Sequence, residues 1–543
     1  MPHCTDGSHP ELKNLNHSDL EDLFPPLGSL RSVVIVGAGV AGLQTARQFL
    51  RLGCAVTVLE SNDDVGGVWL RNYFGYGLQV PWKSYQFPDF LWPPHLRPTD
   101  SFPPGPAVHA YIRAYAEHFG LMPCIRLGCT MRAMKWHPSN RQWEVAYTET
   151  SATKSPQAAG SDAPSKLLAD YVVLCTGMYF RPFIPDIKNP GCFRGQQLHS
   201  CHFTDPSLAR GRRAVVVGAG KTAMDCVSVL KDPRVGGAAE VTLVYRKAHW
   251  PMPRSLAGVS VQQLLYNRAL PAMLPPYYTA GPLRRGAALL AAPLRRLFWK
   301  SLEGVINHKF GMSTSSIVCP KVGLPADLFY GGIVLDRRAH ELLANGPVAT
   351  VNGAISHFVP DGVVLRDGTF HAADLVLFCT GYTKSYDFLD PDLLARLDVQ
   401  KDGLYLYRNI LPHNVPHMAF IGSEVSTYSN ILTHGLQSLW LVSALLRAGR
   451  LPPRAAMAVD VRQQQRWRRD VMPLQRNRGS ILMLYMQDYH DQLLQDMGAS
   501  PRRKLAAACG GGGGGGLVSS CFGECCGAYS AEDYSGFVEQ QWG

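Results

Sequence analysis

The sequence contains no long apolar run, no disulfide pattern and no targeting segment. No stretch of about 18 consecutive apolar residues occurs, so a membrane-spanning helix is excluded on length. The first thirty residues are polar and acidic, without the apolar core of a secretory signal or the arginine-rich pattern of a transit peptide. The 14 cysteines are dispersed along the chain, which is typical of a reducing compartment. We therefore expect a cytoplasmic protein.

Charged residues are also few. They make up 17% of the chain against 46% hydrophobic residues, which indicates a well-buried globular protein. The net charge of +11 is carried by lysines and arginines that are scattered and not concentrated on one helix or stripe. We therefore expect no nucleic-acid partner, and an anionic ligand or an acidic membrane surface instead. A chain of 543 residues exceeds one ordinary core, which predicts two domains.

A strand, a glycine-rich loop, a helix and a second strand follow one another over residues 31–60. The glycines of such a loop permit a tight turn and a close approach to a pyrophosphate at the helix N-terminus. Glu60 ends the second strand, where a carboxylate can accept a hydrogen bond from a ribose hydroxyl. The pattern predicts a site for a dinucleotide with a free ribose. The loop consists of Gly37, Ala38, Gly39, Val40, Ala41 and Gly42.

A second loop of the same kind occupies residues 218–223 and includes Gly218, Gly220, Lys221 and Thr222. The strand that follows it ends in Arg246 and not in an acid. An arginine at that position pairs with a 2′-phosphate, which a carboxylate would repel. The second site is therefore predicted to bind NADP. The alternative for Arg246 is a solvated cation at a strand end.

Residues 169–185 and 372–388 resemble each other, because each is an apolar strand that ends in Cys-Thr-Gly. Thr176, Gly177, Thr380 and Gly381 are predicted to lie where the chain leaves one nucleotide domain and later re-enters it. The expected fold is α/β, with two Rossmann-like domains, the NADP domain being inserted into a discontinuous FAD domain. The predicted units are a polar extension (1–30), a first FAD-domain segment (31–190), the NADP domain (191–374) with an insertion at 255–330, a second FAD-domain segment (375–470), a helical segment (471–500) and a disordered low-complexity tail (501–543).

The sequence resembles the class B flavin-dependent monooxygenases, in the flavin-containing monooxygenase group. The resemblance covers roughly residues 31–450. It rests on the joint order of five motifs, which are GAGVAG at 37–42, GGVW at 66–69, FRGQQLHSCHF at 193–203, GAGKTA at 218–223 and CTGY at 379–382.

The resemblance implies an enzyme of the N,N-dimethylaniline monooxygenase type with FAD and NADPH as cofactors. NADPH would reduce FAD, and a C4a-hydroperoxyflavin formed with O₂ would oxygenate a nucleophilic N or S atom of a small molecule. The first glycine loop and Glu60 would hold the adenine half of FAD. Gly67, Val68 and Trp69 would line its middle, although Trp69 is equally consistent with a core residue. No metal site is expected.

Two residues are candidates for a role in the reaction itself. Gln79 stands where many animal relatives carry an asparagine close to the flavin, and it offers the same amide one methylene further out. His199 belongs to the fingerprint motif of the group, which is filled by Phe193, Gly195, His199 and Phe203. It is expected to anchor the linker between the two domains and not to act as a base. The alternative is a histidine satisfied locally at a turn.

Other functions stay open at this point. A Baeyer–Villiger oxygenase would convert a ketone to an ester, but its motif usually ends in Trp, whereas Phe203 ends it here. An uncoupled NADPH oxidase, a reductase and a cofactor-binding protein without turnover are further alternatives. The oligomeric state is not predicted.

Residues 283–302 alternate arginine pairs with apolar and aromatic residues. This pattern is typical of a basic helix at an anionic membrane surface, which would make the protein peripheral there. A lid over the substrate path and a core helix with arginines at its rim are the alternatives.

Overall fold

The computed structural model describes most of the chain. The described ranges are 23–25, 27–150, 164–256, 259–261, 265–312, 320–329, 333–334, 337–344, 346–447, 451–505 and 523–540.

The strands of the described ranges are mostly short and rich in valine, leucine and isoleucine. In chain order they are β1 Ser32–Val36, β2 Ala55–Leu59, β3 Ile125–Arg126, β4 Cys129–His137, β5 Gln142–Glu149, β6 Ser165–Ala169, β7 Tyr171–Leu174, β8 Arg181–Pro182, β9 Gln196–His199, β10 Arg213–Val217, β11 Glu240–Tyr245, β12 Pro251–Met252, β13 Ser255–Leu256, β14 Val259–Ser260, β15 Ile333–Val334, β16 Val348–Asn352, β17 Ile355–Val359, β18 Gly362–Leu365, β19 Phe370–Ala372, β20 Leu375–Phe378, β21 Tyr382–Thr383 and β22 Met418–Phe420.

The α-helices of the same ranges are α1 Val40–Arg51, α2 Gly105–His118, α3 Lys221–Leu230, α4 Pro282–Leu290, α5 Ala292–Phe310, α6 Leu324–Leu328, α7 Arg337–Ala344, α8 Pro391–Leu397, α9 Asn430–Leu446, α10 Arg454–Val471, α11 Met486–Asp496 and α12 Ser535–Gln540. None of these helices has both the length and the apolar character needed to cross a membrane.

Two five-stranded parallel sheets organise the molecule. The first sheet has the order β22-β7-β1-β2-β3 and the second the order β16-β11-β10-β20-β9. Their central strands β1 and β10 are nearly continuous valine runs, as expected for parallel strands covered on both faces. Each is followed by its glycine loop and then by a helix, α1 or α3, which confirms the predicted pair of Rossmann-like units.

The second sheet takes one strand that the sequence assigned to the other domain. Strand β20 pairs with β10 and β9, so residues 375–378 belong to the second sheet. The predicted boundary at 374/375 is therefore wrong by one strand. The two Cys-Thr-Gly segments are equivalent, since each ends the strand beside the central strand of its own sheet. The first segment precedes the strand β8 on the way to the second sheet, and the second precedes β21 on the way back, so both also lie where the chain leaves one unit for the other.

The chain crosses between the sheets twice, and the two crossings run side by side. Strands β8 and β21 form an antiparallel pair, with Tyr382 opposite Pro182 and Thr383 opposite Arg181. Directly after β21, the Nζ of Lys384 donates to Glu424 at 2.8 Å and to Ser480 at 2.7 Å. The return crossing is thereby attached to the portion of the chain that continues into β22 and α9.

Both chain ends pack more closely than their composition predicted. Leu23 and Phe24 lie within the segment expected to be a polar extension, yet both are buried in the core. In the tail, Tyr529, Tyr534 and Phe537 are buried as well, so the prediction of disorder over 501–543 is wrong for the described residues 501–505 and 523–537. The aromatic residues after position 528 supply enough apolar surface for packing, which the composition of the whole tail concealed. The glycine run at 510–516 lies outside the described residues.

Candidate cofactor and substrate site

The first glycine loop is shaped by positions that exclude a side chain. Gly37 has φ +105°, and a Cβ there would lie 2.6 Å from the carbonyl oxygen of Cys175. A Cβ on Gly42 would collide with the carbonyl of Gly37. Strand β7 and the residues that follow it therefore press directly on the loop, and Thr176 and Gly177 continue from this contact. The glycines of the sequence pattern therefore lie where two backbone segments come too close together to leave room for a side chain.

Glu60 turns its carboxylate toward this loop. It is 4% exposed and follows β2, and its Oε2 accepts the backbone N–H of Ala38 at 2.7 Å. Its Oε1 accepts the N–H of Asn62 at 2.9 Å. The carboxylate is thus held at the loop by backbone donors, at the edge where the predicted ribose contact requires it.

The Gly-Gly-Val-Trp segment touches the same loop. A Cβ on Gly67 would lie 3.3 Å from the Cα of Gly39, so the two segments meet with no room for a side chain. Trp69 donates its indole N–H to the hydroxyl of Tyr85 at 2.8 Å. Its carbonyl accepts the hydroxyl of Tyr76 at 2.6 Å. Trp69 is therefore half-buried among aromatic residues at the cavity described below. It is both a packing residue and a residue of the candidate site.

The second loop repeats the first but leaves more space. A Cβ on Gly218, which has φ +131°, would collide with the carbonyl of Cys379. Among the described residues, no atom lies within 4 Å of a Cβ placed on Gly220. Thr380 and Gly381 continue from Cys379, and the hydroxyl of Thr380 donates to the carbonyl of Phe183 in the opposite crossing.

Both loops suit a pyrophosphate at the start of the following helix. Gly39 and Gly220 are the N-cap residues of α1 and α3, and neither helix has a side-chain cap or an acidic residue in its first turn. The first backbone N–H groups of these described helices therefore receive no carboxylate or hydroxyl from the cap position. A bound phosphate is the acceptor that fits them in charge and in size.

The part of the molecule built on the first sheet is called the first half, and the part built on the second sheet is called the second half. A cavity of about 440 Å³ lies between them. Its wall combines Val68, Trp69 and Gln79 from the first half with Gly220, Lys221 and Thr222 from the second. Further wall residues come from 249–266, Leu328, Tyr382, 426–430 and Met483. The candidate flavin segment, the candidate NADP loop and Gln79 therefore share one space.

The two halves are also joined beside this cavity. The hydroxyl of Tyr73 donates to Asp225 at 2.8 Å, and the Nζ of Lys221 pairs with the other oxygen of the same carboxylate. Burial raises the pKa of the Tyr73 hydroxyl, and the nearby Asp225 carboxylate raises it further. Tyr73 is therefore a hydrogen-bond donor at neutral pH, and Asp225 holds the Lys221 ammonium at the cavity wall.

His199 does not line the cavity. It ends β9 and is 1% exposed, and its Nε2 lies 2.9 Å from the carbonyl oxygen of Gly381 in the return crossing. Its Nδ1 receives the backbone N–H of Cys201 at 3.3 Å, which fixes the proton on Nε2. Burial lowers the pKa of this imidazole, although the Gly381 bond opposes the shift. The side chain therefore joins the end of β9 in the second sheet to the return crossing, which is consistent with an anchoring role.

Arg246 is exposed where β11 ends and is not among the residues of the cavity wall. Sequence reasoning missed Asn72, Tyr73, His249, Arg254 and Tyr266, all of which line the cavity. The many aromatic residues between positions 69 and 85 were the sequence feature that could have identified Asn72 and Tyr73. His249 and Tyr266 carry no local pattern, because tertiary packing alone brings them to the wall.

A model of the family described as flavin-binding monooxygenase-like matches residues 30–508 of the chain. Among curated proteins, "Probable flavin-containing monooxygenase 1" of Arabidopsis thaliana is 27% identical over 519 residues, which cover 87% of this chain and 92% of that protein. Dimethylaniline monooxygenase (N-oxide-forming) 4 of Rattus norvegicus is 27% identical over 498 residues, covering 87% and 79%.

Solved structures agree in fold. An oxidised steroid monooxygenase bound to NADP superposes with a TM-score of 0.62 at 19% identity, covering 86% of this chain and 97% of that one. At this identity the likeness concerns the arrangement of the two nucleotide-binding units, which is the arrangement of the two parallel sheets described above.

Proposed function

Since the chain belongs to the flavin-binding monooxygenase-like family and is an FAD- and NADPH-dependent enzyme, we propose that it oxygenates a nucleophilic nitrogen or sulfur atom of a small molecule. The reaction consumes O₂, NADPH and one proton. It yields the N- or S-oxide, NADP⁺ and water. The supporting observation is the shared cavity, whose wall contains both the Gly-Gly-Val-Trp segment and the second glycine loop.

When bound, FAD and NADPH supply the activation of O₂ and the reducing equivalents, which no side chain of the chain can provide. Residues 37–42 and Glu60 would hold the adenine half of FAD, and Gly67, Val68 and Trp69 its middle. Gly218, Gly220, Lys221 and Thr222 would hold the pyrophosphate of NADP. Exposed Arg246 would take the 2′-phosphate at the solvent edge.

The remaining task of the protein is to keep water out of the cavity, because water would divert the reaction to peroxide. The rings of Tyr76 and Tyr85 line the cavity, while their hydroxyl groups bond to Trp69. These hydroxyls are satisfied inside the protein. The two rings therefore contribute apolar surface to the site without attracting water.

Gln79 is the proposed amide donor at this site. It is exposed to the cavity that contains the second glycine loop. Its side chain can donate and accept at once, so it can orient either the cofactor or the substrate. His199 is proposed as a positioning residue that holds the return crossing against the end of β9 through Gly381.

The direct test is to supply the FAD-loaded enzyme with NADPH and O₂ and a panel of amines, thioethers and ketones. Oxygenated product and hydrogen peroxide are measured separately. We expect N- or S-oxide in proportion to NADPH consumed. An ester formed from a ketone would indicate the Baeyer–Villiger alternative, and peroxide alone would contradict oxygenation.

The same assay tests Gln79. The variant Gln79→Ala should raise the peroxide share at least about threefold, and Gln79→Asn should restore coupling in part, since it keeps the amide. Gln495→Ala is the matched control, because Gln495 is exposed on α11 away from the cavity wall. A coupling ratio that is the same in all three variants would remove Gln79 from the site.

We further propose that α4 and α5 rest on an anionic lipid surface. The three most exposed large apolar side chains of the described residues are Leu283 at 91%, Leu290 at 86% and Leu289 at 77%. Leu294 and Leu297 on α5 continue the same apolar series. Helix α4 buries no residue, which contradicts the alternative of a core helix for residues 282–290, whereas α5 buries Trp299, Ile306 and Phe310.

The charge of these helices matches such a surface. Glu303 is their single acid, and it is turned inward to Lys300 and to the backbone N–H of Leu324. Exposed leucines with interleaved cations fit the boundary between acyl chains and anionic head groups. None of the described cavity-lining residues belongs to 282–310, so the lid alternative lacks support. The basic residues are Arg284, Arg285, Arg295, Arg296, Lys300 and Lys309.

A further inference from the structure

Residues 523–537, here called the C-terminal strap, pack on the loop at residues 265–269, which lies within the predicted insertion at 255–330. The backbone N–H groups of Arg268 and Ala269 both donate to the carbonyl of Cys525, at 3.1 Å each. The N–H of Tyr529 donates to the carbonyl of Tyr266 at 2.9 Å. These are backbone contacts, so they hold the position of the loop itself and not only the position of its side chains.

Arg268 connects the strap to the helix α11. Its Nε lies 2.7 Å from the carboxylate of Glu524 in the strap. Its two terminal nitrogens bind both oxygens of Asp491 on α11, at 2.5 and 2.8 Å. The guanidinium also lies over the ring of Tyr529, 4.8 Å from its centroid. One side chain thus ties three segments together in a planar, bidentate geometry.

The strap is itself firmly seated. Tyr534 is fully buried and its ring packs against that of His490 on α11. Ser530 and Asp533 form a capping box that begins the turn containing Tyr534. Such reciprocal capping and complete burial of an aromatic ring are features of a stable element.

The loop held by the strap belongs to the cavity wall. Leu265 and Tyr266 line the cavity, and the hydroxyl of Tyr266 donates to the carbonyl of Tyr428 at 3.1 Å. Tyr428 lies on the opposite segment of the same wall. At another point, the amide of Gln86 donates to Glu532 of the strap at 3.2 Å, next to the cavity residue Tyr85. The strap therefore supports two separate regions of the cavity wall.

We propose that the C-terminal strap is a specificity element of the substrate site, because it fixes Tyr266 against the cavity and so sets the size of substrate that is accepted. This inference rests on the proposed oxygenase function for its substrate. The strap begins fifteen residues after the matched family region ends at 508 (523 − 508 = 15), so the bracing comes from residues that the family pattern does not include. Tyr266 is the wall residue, and Arg268 and Glu524 are positioning residues.

The test compares the intact chain with a chain that ends at residue 522. Without the strap, the carbonyl of Tyr266 loses the N–H of Tyr529 and the guanidinium of Arg268 loses Glu524, while their contacts to α11 remain, so that the wall loosens. We expect the KM of a small thioether to rise about tenfold, while that of a bulky thioether falls or stays constant. NADPH oxidation without substrate should stay within about twofold, because the glycine loops are untouched.

A point variant protects the test against misfolding of the shortened chain. Glu524→Ala removes the carboxylate that joins Arg268 to the strap and leaves the buried aromatic residues in place. Its matched control is Asp374→Ala, since Asp374 likewise pairs with an arginine (Arg213) and accepts a backbone N–H, but away from the cavity wall. Both variants should lose similar thermal stability, but only Glu524→Ala should change the ratio of the two KM values.

Hydrogen exchange gives a readout that does not depend on oxygenation. The amides of residues 265–269 should exchange faster in both strap variants and at the normal rate in Asp374→Ala. A synthetic peptide of residues 520–543 should restore slow exchange and the original KM ratio in the shortened chain.

Unchanged exchange at 265–269, or faster exchange with an unchanged KM ratio, would overturn the proposal. If no substrate is oxygenated by any variant, the oxygenase function fails instead. The strap is then judged by exchange together with the spectral shift that the same two thioethers produce in the oxidised flavin. A size-dependent loss of that shift on strap removal supports the proposal, and an unchanged shift overturns it.

Discussion

Gly39 and Gly220 hold the same place in their two loops, but their surroundings differ. A Cβ on Gly39 would lie 3.7 Å from the Cα of Gly67, so that position is covered by the chain itself. At Gly220 the corresponding space is open among the described residues and faces the cavity. The fold therefore does not require a glycine there, which supports the proposal that the ligand does.

Replacing Gly220 by alanine should separate binding from stability. Gly220 has φ −79° and ψ 177°, an extended conformation that any residue adopts, so the free energy of unfolding should change by less than about 1 kcal/mol. The added methyl occupies the space through which the backbone approaches the pyrophosphate, so the KM for NADPH should rise at least about tenfold. NADPH titration measures the KM, and urea unfolding measures the free energy.

Two other glycines serve as references in that experiment. Gly191→Ala places a methyl in open surface and should leave both the KM and the stability unchanged. Gly218→Ala should destabilise the protein outright, since it forces φ +131° and a collision with Cys379. An unaltered KM for NADPH in Gly220→Ala would show that the second loop does not hold that cofactor.

At the scale of elements, α4 and α5 differ from every other described helix in what they expose. Their leucines face outward although helices on a globular protein normally turn such residues to the core. The sequence alone indicated a basic amphipathic segment and could not choose between membrane, lid and core. The structure argues against the core alternative for α4, because among the described residues no protein surface covers its apolar side. Only the tertiary arrangement reveals this.

Charge at this apolar surface should abolish lipid binding. The double variant Leu289→Glu/Leu290→Glu places two carboxylates among the basic residues at the lipid boundary, so flotation with anionic vesicles at low salt should fall at least about tenfold. Leu474→Glu is the control, because Leu474 is 75% exposed but lies elsewhere. Equal flotation of all three proteins, or no flotation of the unaltered one, would contradict a membrane role.

For the whole molecule, acid sensitivity follows from buried histidines. His490 on α11 is fully buried, with its Nε2 2.7 Å from the hydroxyl of Thr433. Burial lowers its pKa to about 3, and the nearby Arg268 cation adds to the shift. The pKa of His199 is lowered in the same direction by burial. A histidine whose pKa is lower in the folded state contributes stability that is present above pH 6.5 and is lost as the pH falls below it.

Stability should therefore fall between pH 7 and pH 5. His490 alone should remove about 2 kcal/mol from the free energy of unfolding over this range, and His199 adds to the loss. The Asp374 carboxylate, which pairs with Arg213, titrates at lower pH, since its pKa is about 2 and that of an ordinary aspartate is 3.8. Urea unfolding followed by tryptophan fluorescence at several pH values measures the slope.

The variant His490→Gln should flatten that slope by the His490 share, since glutamine keeps a polar contact to Thr433 without a titrating proton. His95→Gln, at an exposed position, is the matched control and should leave the slope as it is. A slope that is equal in all three proteins would exclude His490 as its source.

The features that the sequence determined by itself are those that depend only on local backbone geometry. The two glycine loops, Glu60 after its strand and the order of the motifs all follow from residues that are neighbours in the chain. Gly37 and Gly218 have positive φ angles, and Gly42 lies against the carbonyl of Gly37, so the local turn alone already favours glycine at all three positions.

The tertiary structure decided everything that depends on distant segments meeting. It placed β20 in the second sheet, brought Tyr73 to Asp225 and seated the C-terminal strap behind Tyr266. These contacts join residues more than a hundred positions apart, and each depends on how whole sheets and helices pack and not on a local preference. The loops and the wall residues next to them were therefore predictable, and the remainder of the cavity wall was not, because a turn is set by its own residues whereas a cavity is set by all the segments around it.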